Sequence, residues 1–322
     1  MNDLKNTYEN YRKVIDQEIS GISEIEELTY FRAPLLYPLK GQGKRFRPVL
    51  LLIVGKSMGQ KVEALLPAAI AIEILHTFTL VHDDIMDNDK LRRGLPTVHK
   101  KWNRDIGILS GDGLFALAYR ELMQTSHPRI DHITSRISQV LLRICEGQTR
   151  DLDFEKRTDI TPQEYLNMVE LKTGELIGLS CSVGAMLANA DEKIVNKLDN
   201  FGKILGQAFQ IQDDILEISS DESQMGKSLG SDFTTGKKTY PLTLVLSKLN
   251  NTEKKKFMSF LKNNSYNREE VLNKFQKYNA ITEGEKVVNE LMDQALAELD
   301  ACPEKTRTRL AYFVELISNR DH

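Results

Sequence analysis

Cysteine is scarce in this 322-residue chain: Cys145, Cys181 and Cys302 are far apart and odd in number. That excludes a disulfide framework and a cysteine-built zinc site, and it suits a reducing compartment. Basic tracts and basic–aromatic interleaving are absent and the net charge is −3, so nothing directs the chain to nucleic acid. The first residues, Met1-Asn2-Asp3-Leu4-Lys5, are polar and lack the apolar core of a signal peptide, which points to the cytoplasm. Flexible linkers, low-complexity tracts and short-period repeats are missing, as is strand-like alternation bounded by Asn-Gly or Asp-Gly turns.

What is present reads as helix. With 41% hydrophobic and 28% charged residues the chain can bury a substantial core. Apolar residues recur at helical spacing, as in Leu114, Leu117, Ala118, Leu122 and again in Leu198, Phe201, Leu205, Ala208. The reading is one all-α domain over residues 1–322, a large helical bundle around a central cavity. Breaks fall at Gly41-Gln42-Gly43, Arg93 to Pro96, Ser126-His127-Pro128, Asp159 to Pro162 and Gly226 to Pro241. Thr161-Pro162-Gln163-Glu164 predicts a helix start, Thr as cap and Pro in the first helical position. After Asn250 the helices are weaker and more charged, such as Ile281 to Leu299, and are expected on the outside of the same core. Only Ala64 to Val81 suggests a membrane. It contains Pro67, Glu73 and His76 and ends in acids, so a buried core helix is expected rather than stable membrane insertion.

Two acid clusters dominate the polar pattern. His82-Asp83-Asp84-Ile85-Met86-Asp87 and Gln212-Asp213-Asp214-Ile215-Leu216-Glu217 each follow an apolar run and place carboxylates at i, i+1 and i+4. On a helix the first and last of these share a face. The matched pair suggests two walls of one site that holds Mg2+, a hard cation carried by one or two carboxylates together with substrate phosphates. Basic residues near glycines bracket both clusters: Gly43-Lys44-Arg45-Phe46-Arg47, Arg92-Arg93-Gly94, Lys172-Thr173, Gly226-Lys227 and Gly236-Lys237-Lys238. Such residues suit phosphate oxygens, which turns the reading toward a diphosphate.

In this order the segments resemble the trans-isoprenyl diphosphate (polyprenyl) synthases. The likeness runs from Gly43-Lys44-Arg45-Phe46-Arg47-Pro48 through Leu75-His76-Thr77, Asp83-Asp84-x-x-Asp87, Arg92-Arg93-Gly94, Gly147-Gln148 and Lys172-Thr173. It continues with Phe209-Gln210-Ile211-Gln212-Asp213-Asp214 and Gly226-Lys227 to Lys238-Thr239-Tyr240-Pro241. The resemblance implies an enzyme joining isopentenyl diphosphate head-to-tail to an allylic diphosphate with Mg2+, three ions per site, and a homodimer. By the same resemblance Asp83 and Asp87 bind metal with Asp84 in support, and Asp213, with Asp214 and Glu217, binds it on the other side. Arg92, Lys172, Lys227 and Lys238 are implied for the allylic diphosphate, Lys44, Arg47, His76 and Arg93 for isopentenyl diphosphate, and Lys237 for substrate binding. Thr173 and Gln210 line the site near the reacting carbons. One departure stands out: Glu217 occupies a position where the family usually has Asp, which extends the carboxylate by one methylene.

Chain length is expected from one helix. With a rise of about 1.5 Å per residue, Thr79 and Phe78 lie roughly 6–8 Å below Asp83. A bulky Phe78 beside a small Thr79 resembles the geranylgeranyl (C20) type, with Leu114 or Phe115 as deeper residues able to override it. Farnesyl or medium-chain products, a catalytic half of a heterodimer, and a class I terpene cyclase are the competing expectations.

Overall fold

The structure, a computed structural model, describes residues 2–22, 28–41, 43–219, 237–262 and 268–318. Among these residues the architecture is all-α, and the only strands are the two-residue pair Leu91–Arg92 and Leu95–Pro96. The chain divides into two compact units. One comprises Met1–Arg136, Ser180–Val195 and Pro303–Leu310; the other comprises Ile137–Leu179, Asn196–Cys302 and Ala311–His322.

The first unit is built on α1 (Asn2–Gly21), α2 (Arg32–Leu36), α3 (Phe46–Ser57), α4 (Val62–Met86), α5 (Val98–Lys101) and α6 (Arg104–Leu122). α4 is the central element and packs on α1, α3 and α6. Its sequence is apolar almost all round, which favours a helix surrounded by other helices. Leu65, Ala68 to Ile72, Ile74 and Leu75 are accordingly buried. By length and composition α4 could cross a membrane, yet 61% of its most apolar window is covered by this protein. α3 shows the same logic in the unbroken buried run from Pro48 to Gly55.

The second unit takes in α7 (Ile130–Phe154) from Ile137 onward, α8 (Pro162–Val169), and parts of α9 (Glu175–Leu187) and α10 (Glu192–Ser219). Further along the chain come α11 (Tyr240–Ser247), α12 (Asn251–Lys262), α13 (Arg268–Lys277), α14 (Ala280–Glu298) and α15 (Glu304–Ser318). The expected start of α8 is present as a reciprocal capping box: Thr161 Oγ1 accepts from the Glu164 N–H, and Glu164 accepts from the Thr161 N–H. α14 turns Val288, Leu291, Met292 and Ala295 inward and packs on α11.

Four glycines set how closely the helices of this unit meet. A Cβ on Gly202 would lie 2.5 Å from the Gly178 Cα, and one on Gly206 would lie 2.6 Å from the Gly174 Cα. Two pairs spaced by four residues therefore bring backbone against backbone. Glu175, next to the crossing and almost fully buried, is balanced by Arg143 at 2.7 Å and Lys203 at 3.1 Å. Because no side chain can yield at a backbone contact, Gly206→Ala is expected to cost about 1–3 kcal/mol by overpacking. Chemical denaturation of the variant measures it, and an unchanged midpoint would show that the helices part freely.

Candidate active site

The first acid row occupies the end of α4. Asp83 and Asp84 lie in its last turn and Asp87 is its C-cap, with no basic residue in that turn to offset the helix dipole. Carboxylates at a helix C-terminus are each unfavourable by roughly 0.3–1 kcal/mol, so the arrangement calls for a cation. The three acids are not equivalent. Asp84 is buried and accepts from Arg92 Nε at 2.5 Å, while Asp83 and Asp87 are half-buried. Burial pushes the Asp84 carboxyl up to about 6, against the pull of Arg92.

Arg92 reaches Asp84 because the chain reverses immediately after α4. Leu91 pairs with Pro96 and Arg92 with Leu95, leaving Arg93 and Gly94 as a two-residue turn with both φ values positive. That is the geometry of a type I′ hairpin, which needs left-handed backbone at both central positions. Tyr37 donates to the Pro96 carbonyl at 2.8 Å and Thr97 to the Asp89 carbonyl at 2.7 Å, fastening the hairpin. The sequence pattern predicted only a break here. The Arg-Arg-Gly order has a use: Arg92 turns to the acid row and Arg93 turns away from it.

Arg93 lies on the loop before α3. A Cβ on Gly43 would be 2.8 Å from Arg93 Nη1, and one on Gly41 would be 3.7 Å away, so the glycines leave room for the guanidinium. Beside it Arg47 Nη1 donates to His76 Nε2 at 3.1 Å. A guanidinium has no acceptor, so that ring nitrogen carries no proton. Burial first, then Arg47 and Arg93, hold the imidazole well below its usual range. Burial also lowers Arg47 to about 10, and Arg93 repels it further. Arg47 Nε is buried without a hydrogen-bond partner among the described residues. Three of the four residues assigned to isopentenyl diphosphate thus gather at one place with an excess of positive charge, and Lys44 is in the adjoining loop.

The second acid row lies in the last turns of α10, again with no basic residue in the final turn. Asp214 is buried and accepts from Tyr165 Oη at 2.5 Å, the Tyr240 N–H at 2.8 Å and Gln210 Nε2 at 3.1 Å. Burial raises its carboxyl to about 7 despite those donors. The Tyr165 phenol is pushed well above its normal value by burial and by Asp214, so it stays a donor. Asp213 and Glu217 are half-buried on the same helix.

Lys172 and Thr173 sit in a single π-helical turn, Glu170–Gly174, between α8 and α9. A π turn widens the helix by one residue and is frequent at functional sites. Lys172 Nζ meets Asp151 Oδ2 at 2.6 Å, and Thr173 Oγ1 donates to Gln210 Oε1 at 3.5 Å. Gly147 of α7 has its missing Cβ 2.6 Å from the Lys172 amide nitrogen, so only glycine admits the turn there. Lys238 is buried and donates to the Glu155 carbonyl at 3.4 Å, and Lys237 lies close enough to Asp214 to pull its carboxyl down.

Residues 29–278 match the polyprenyl synthetase family. The chain belongs to that family. A geranylgeranyl diphosphate synthase of Sulfolobus acidocaldarius is 41% identical over 264 residues, covering 80% of this chain and 78% of its own. A short chain isoprenyl diphosphate synthase of Methanothermobacter thermautotrophicus is 32% identical over 326 residues and the whole of both chains. The crystal structure of a geranylgeranyl pyrophosphate synthetase from Pyrococcus horikoshii superposes with a TM-score of 0.91 at 32% identity, covering 99% and 98%.

Within this polyprenyl synthetase chain, no three His, Cys, Asp or Glu side chains among the described residues converge to hold an ion unaided. Each acid row presents half-buried carboxylates around one pinned acid, a donor set that fits Mg2+ shared with phosphate oxygens. Lys227, Gly226 and Gly236 lie outside the described residues. Sequence reasoning missed Asp151 and Tyr165. Asp151 stands one helical turn beyond Gly147, a signal available in the pattern, whereas nothing in the sequence marks Tyr165. At the predicted chain-length position, the Phe78 ring meets His82 at 5.0 Å and Phe115 at 5.7 Å between centroids, with Thr79 bonded to the His76 carbonyl. Leu114 is instead fully buried.

The depressed His76 has a measurable consequence. In the folded chain it stays neutral below pH 6.5, while the unfolded chain takes up a proton there. Stability from this group is therefore lost as pH falls below 6.5, at up to about 1.4 kcal/mol per pH unit. His76→Gln removes the effect, so the stability gap between wild type and variant should shrink as pH drops from 7 to about 5.5. Urea titrations across that window test it; a constant gap would show that His76 protonates freely.

Proposed function

We propose that this trans-prenyltransferase condenses isopentenyl diphosphate head-to-tail with an allylic diphosphate, giving geranylgeranyl diphosphate. One observation carries the reading: two guanidiniums that repel each other, Arg47 and Arg93, around a half-buried, neutral His76, with an unpartnered Arg47 Nε, beside an acid row at a helix end. Cations in excess call for an anion, and acids at a helix C-terminus call for a cation. A substrate diphosphate with Mg2+ meets both needs in one molecule.

Lys44, Arg47, His76 and Arg93 hold isopentenyl diphosphate, with neutral His76 contributing a hydrogen bond rather than a charge. Asp83 and Asp87 in the first row, and Asp213 with Glu217 in the second, would hold Mg2+ together with phosphate oxygens of the allylic diphosphate, each row fixed by its buried acid, Asp84 or Asp214. When bound, the metal supplies positive charge to the departing diphosphate. Arg92, Lys172, Lys227, Lys237 and Lys238 add to that charge at fixed positions, the usual form of electrostatic stabilisation. Thr173 and Gln210, hydrogen-bonded to each other, flank the reacting carbons. The allylic carbon–oxygen bond breaks with its electron pair going to diphosphate. The isopentenyl double bond then forms the new carbon–carbon bond, and a proton passes to the departed diphosphate. No side-chain nucleophile takes part.

We further propose that residues 1–322 act as one synthase domain, in the cytoplasm, without stable membrane insertion or nucleic-acid binding. A homodimer is supported by α6, which exposes Ile108, Leu109, Phe115 and, just past its end, Met123 along one helical face. A cyclase is disfavoured because its chemistry needs no second cationic site for Arg47 and Arg93.

Purified chain supplied with Mg2+, isopentenyl diphosphate and farnesyl diphosphate should form C20 product, fall at least about 100-fold on chelation and recover with Mg2+. Hydrocarbon released from an allylic diphosphate alone would make the protein a cyclase. Failure of the chain by itself, cured by a second polypeptide, would make it half of a heterodimer. Separately, Phe78→Ala opens volume beside Phe115 and should lengthen the product by one or more isoprene units. Chromatography of dephosphorylated products reads this directly, and unchanged length would move the stop elsewhere.

A further inference from the structure

Arg45 takes no part in the chemistry above, yet its guanidinium makes four hydrogen bonds. The residue is the N-cap of α3 in the left-handed region, φ 48° and ψ 35°, and only 4% exposed. A side chain bearing Cβ is held there only where its surroundings over-determine it. Here they do. Nε donates to Asp16 Oδ1 of α1 at 2.9 Å, and Nη1 donates to Glu73 Oε1 of α4 at 2.7 Å. Nη2 donates to the carbonyls of Leu39 at 3.2 Å and Gly41 at 3.0 Å. One residue earlier, the Tyr8 hydroxyl of α1 donates to the Lys44 carbonyl.

This network ties three things to one guanidinium: the loop of Gly41 and Gly43, the first helix, and the face of α4 that carries Glu73 and, one turn on, His76. Lys44 immediately precedes the inverted backbone, and Arg47 follows it by two residues. If Arg45 relaxed to right-handed or extended backbone, those two cations would diverge. α1 precedes the residues matched to the family, so the motif alone does not account for its two contacts.

We propose that α1, through Tyr8 and Asp16, acts with Arg45 as a positioning element for the isopentenyl diphosphate site, aiming Lys44 and Arg47 without touching substrate. This rests on the assignment of Lys44, Arg47, His76 and Arg93 to that diphosphate. It differs from a merely structural role in one respect: it weakens one substrate and spares the other.

The test uses full-length Tyr8→Phe/Asp16→Asn, whose altered groups lie at the surface of the network so that folding survives, and Arg45→Lys, which keeps charge but loses the fork. Calorimetric titration with isopentenyl diphosphate and steady-state kinetics are run on both. The expected result is a rise of about tenfold in Kd and KM for isopentenyl diphosphate, with kcat and the allylic KM within about twofold of wild type. Asp16→Glu, which can still reach Arg45, should recover most of the affinity. Equal weakening of both substrates, or no change in either, overturns the proposal. Loss of kcat that tracks a lowered melting temperature overturns it as well. Because binding is read without turnover, a wild-type chain that binds isopentenyl diphosphate yet makes no elongated product would sink the reaction assigned above and leave the positioning role standing.

Discussion

Each acid row is organised by burying its middle carboxylate. Asp84 and Asp214 sit one residue after the first acid of their rows, and on a helix adjacent residues point about 100° apart. Pinning the middle one inward therefore determines where the other two project. Arg92 secures Asp84 from a neighbouring hairpin, whereas Asp214 is secured by a phenol, a main-chain N–H and an amide. The two solutions differ, but in both rows burial raises the middle carboxyl against the pull of its donors, and half-buried partners remain on the helix end. The rows resemble each other in sequence because helix geometry imposes the same division of labour on both.

The surrounding charges are left deliberately out of balance. Acids crowd the C-terminal turns of α4 and α10, where the backbone is already negative, and no basic residue stands in either turn. In the first unit Arg47 and Arg93 repel one another, and burial together with these two guanidiniums depresses His76. Contrast Arg45, whose partners Glu73 and Asp16 neutralise it fully. One arginine of the motif is a finished structural contact and its neighbour is an unfinished one. That difference separates residues that hold the fold from residues that hold a ligand.

Close approach of backbones does the remaining work. Gly147 admits the π turn that carries Lys172 and Thr173, and Gly174, Gly178, Gly202 and Gly206 let the helices of the second unit meet without side chains between them. Gln210 comes within reach of Thr173 in the same unit. Local geometry that is costly in isolation is thus stored where polar groups must converge.

The sequence by itself determined the all-α class, the burial of α4, the start of α8 at Thr161 and the family, because these follow from periodicity, capping chemistry and short motifs carried on consecutive residues. Helical spacing also showed which acids share a face. The tertiary structure alone decided that Asp84 and Asp214 are buried anchors, that Arg93 and Gly94 form a hairpin turn, that Lys172 rides on a π turn against Gly147, and that Arg45 is bound to α1 and α4. Apart from the hairpin and its Arg92–Asp84 contact, those outcomes rest on contacts between residues such as Tyr165 and Asp214, or Asp16 and Arg45, that lie dozens of positions apart. Burial and partner choice are properties of the packed chain, and no local pattern of residue types encodes them.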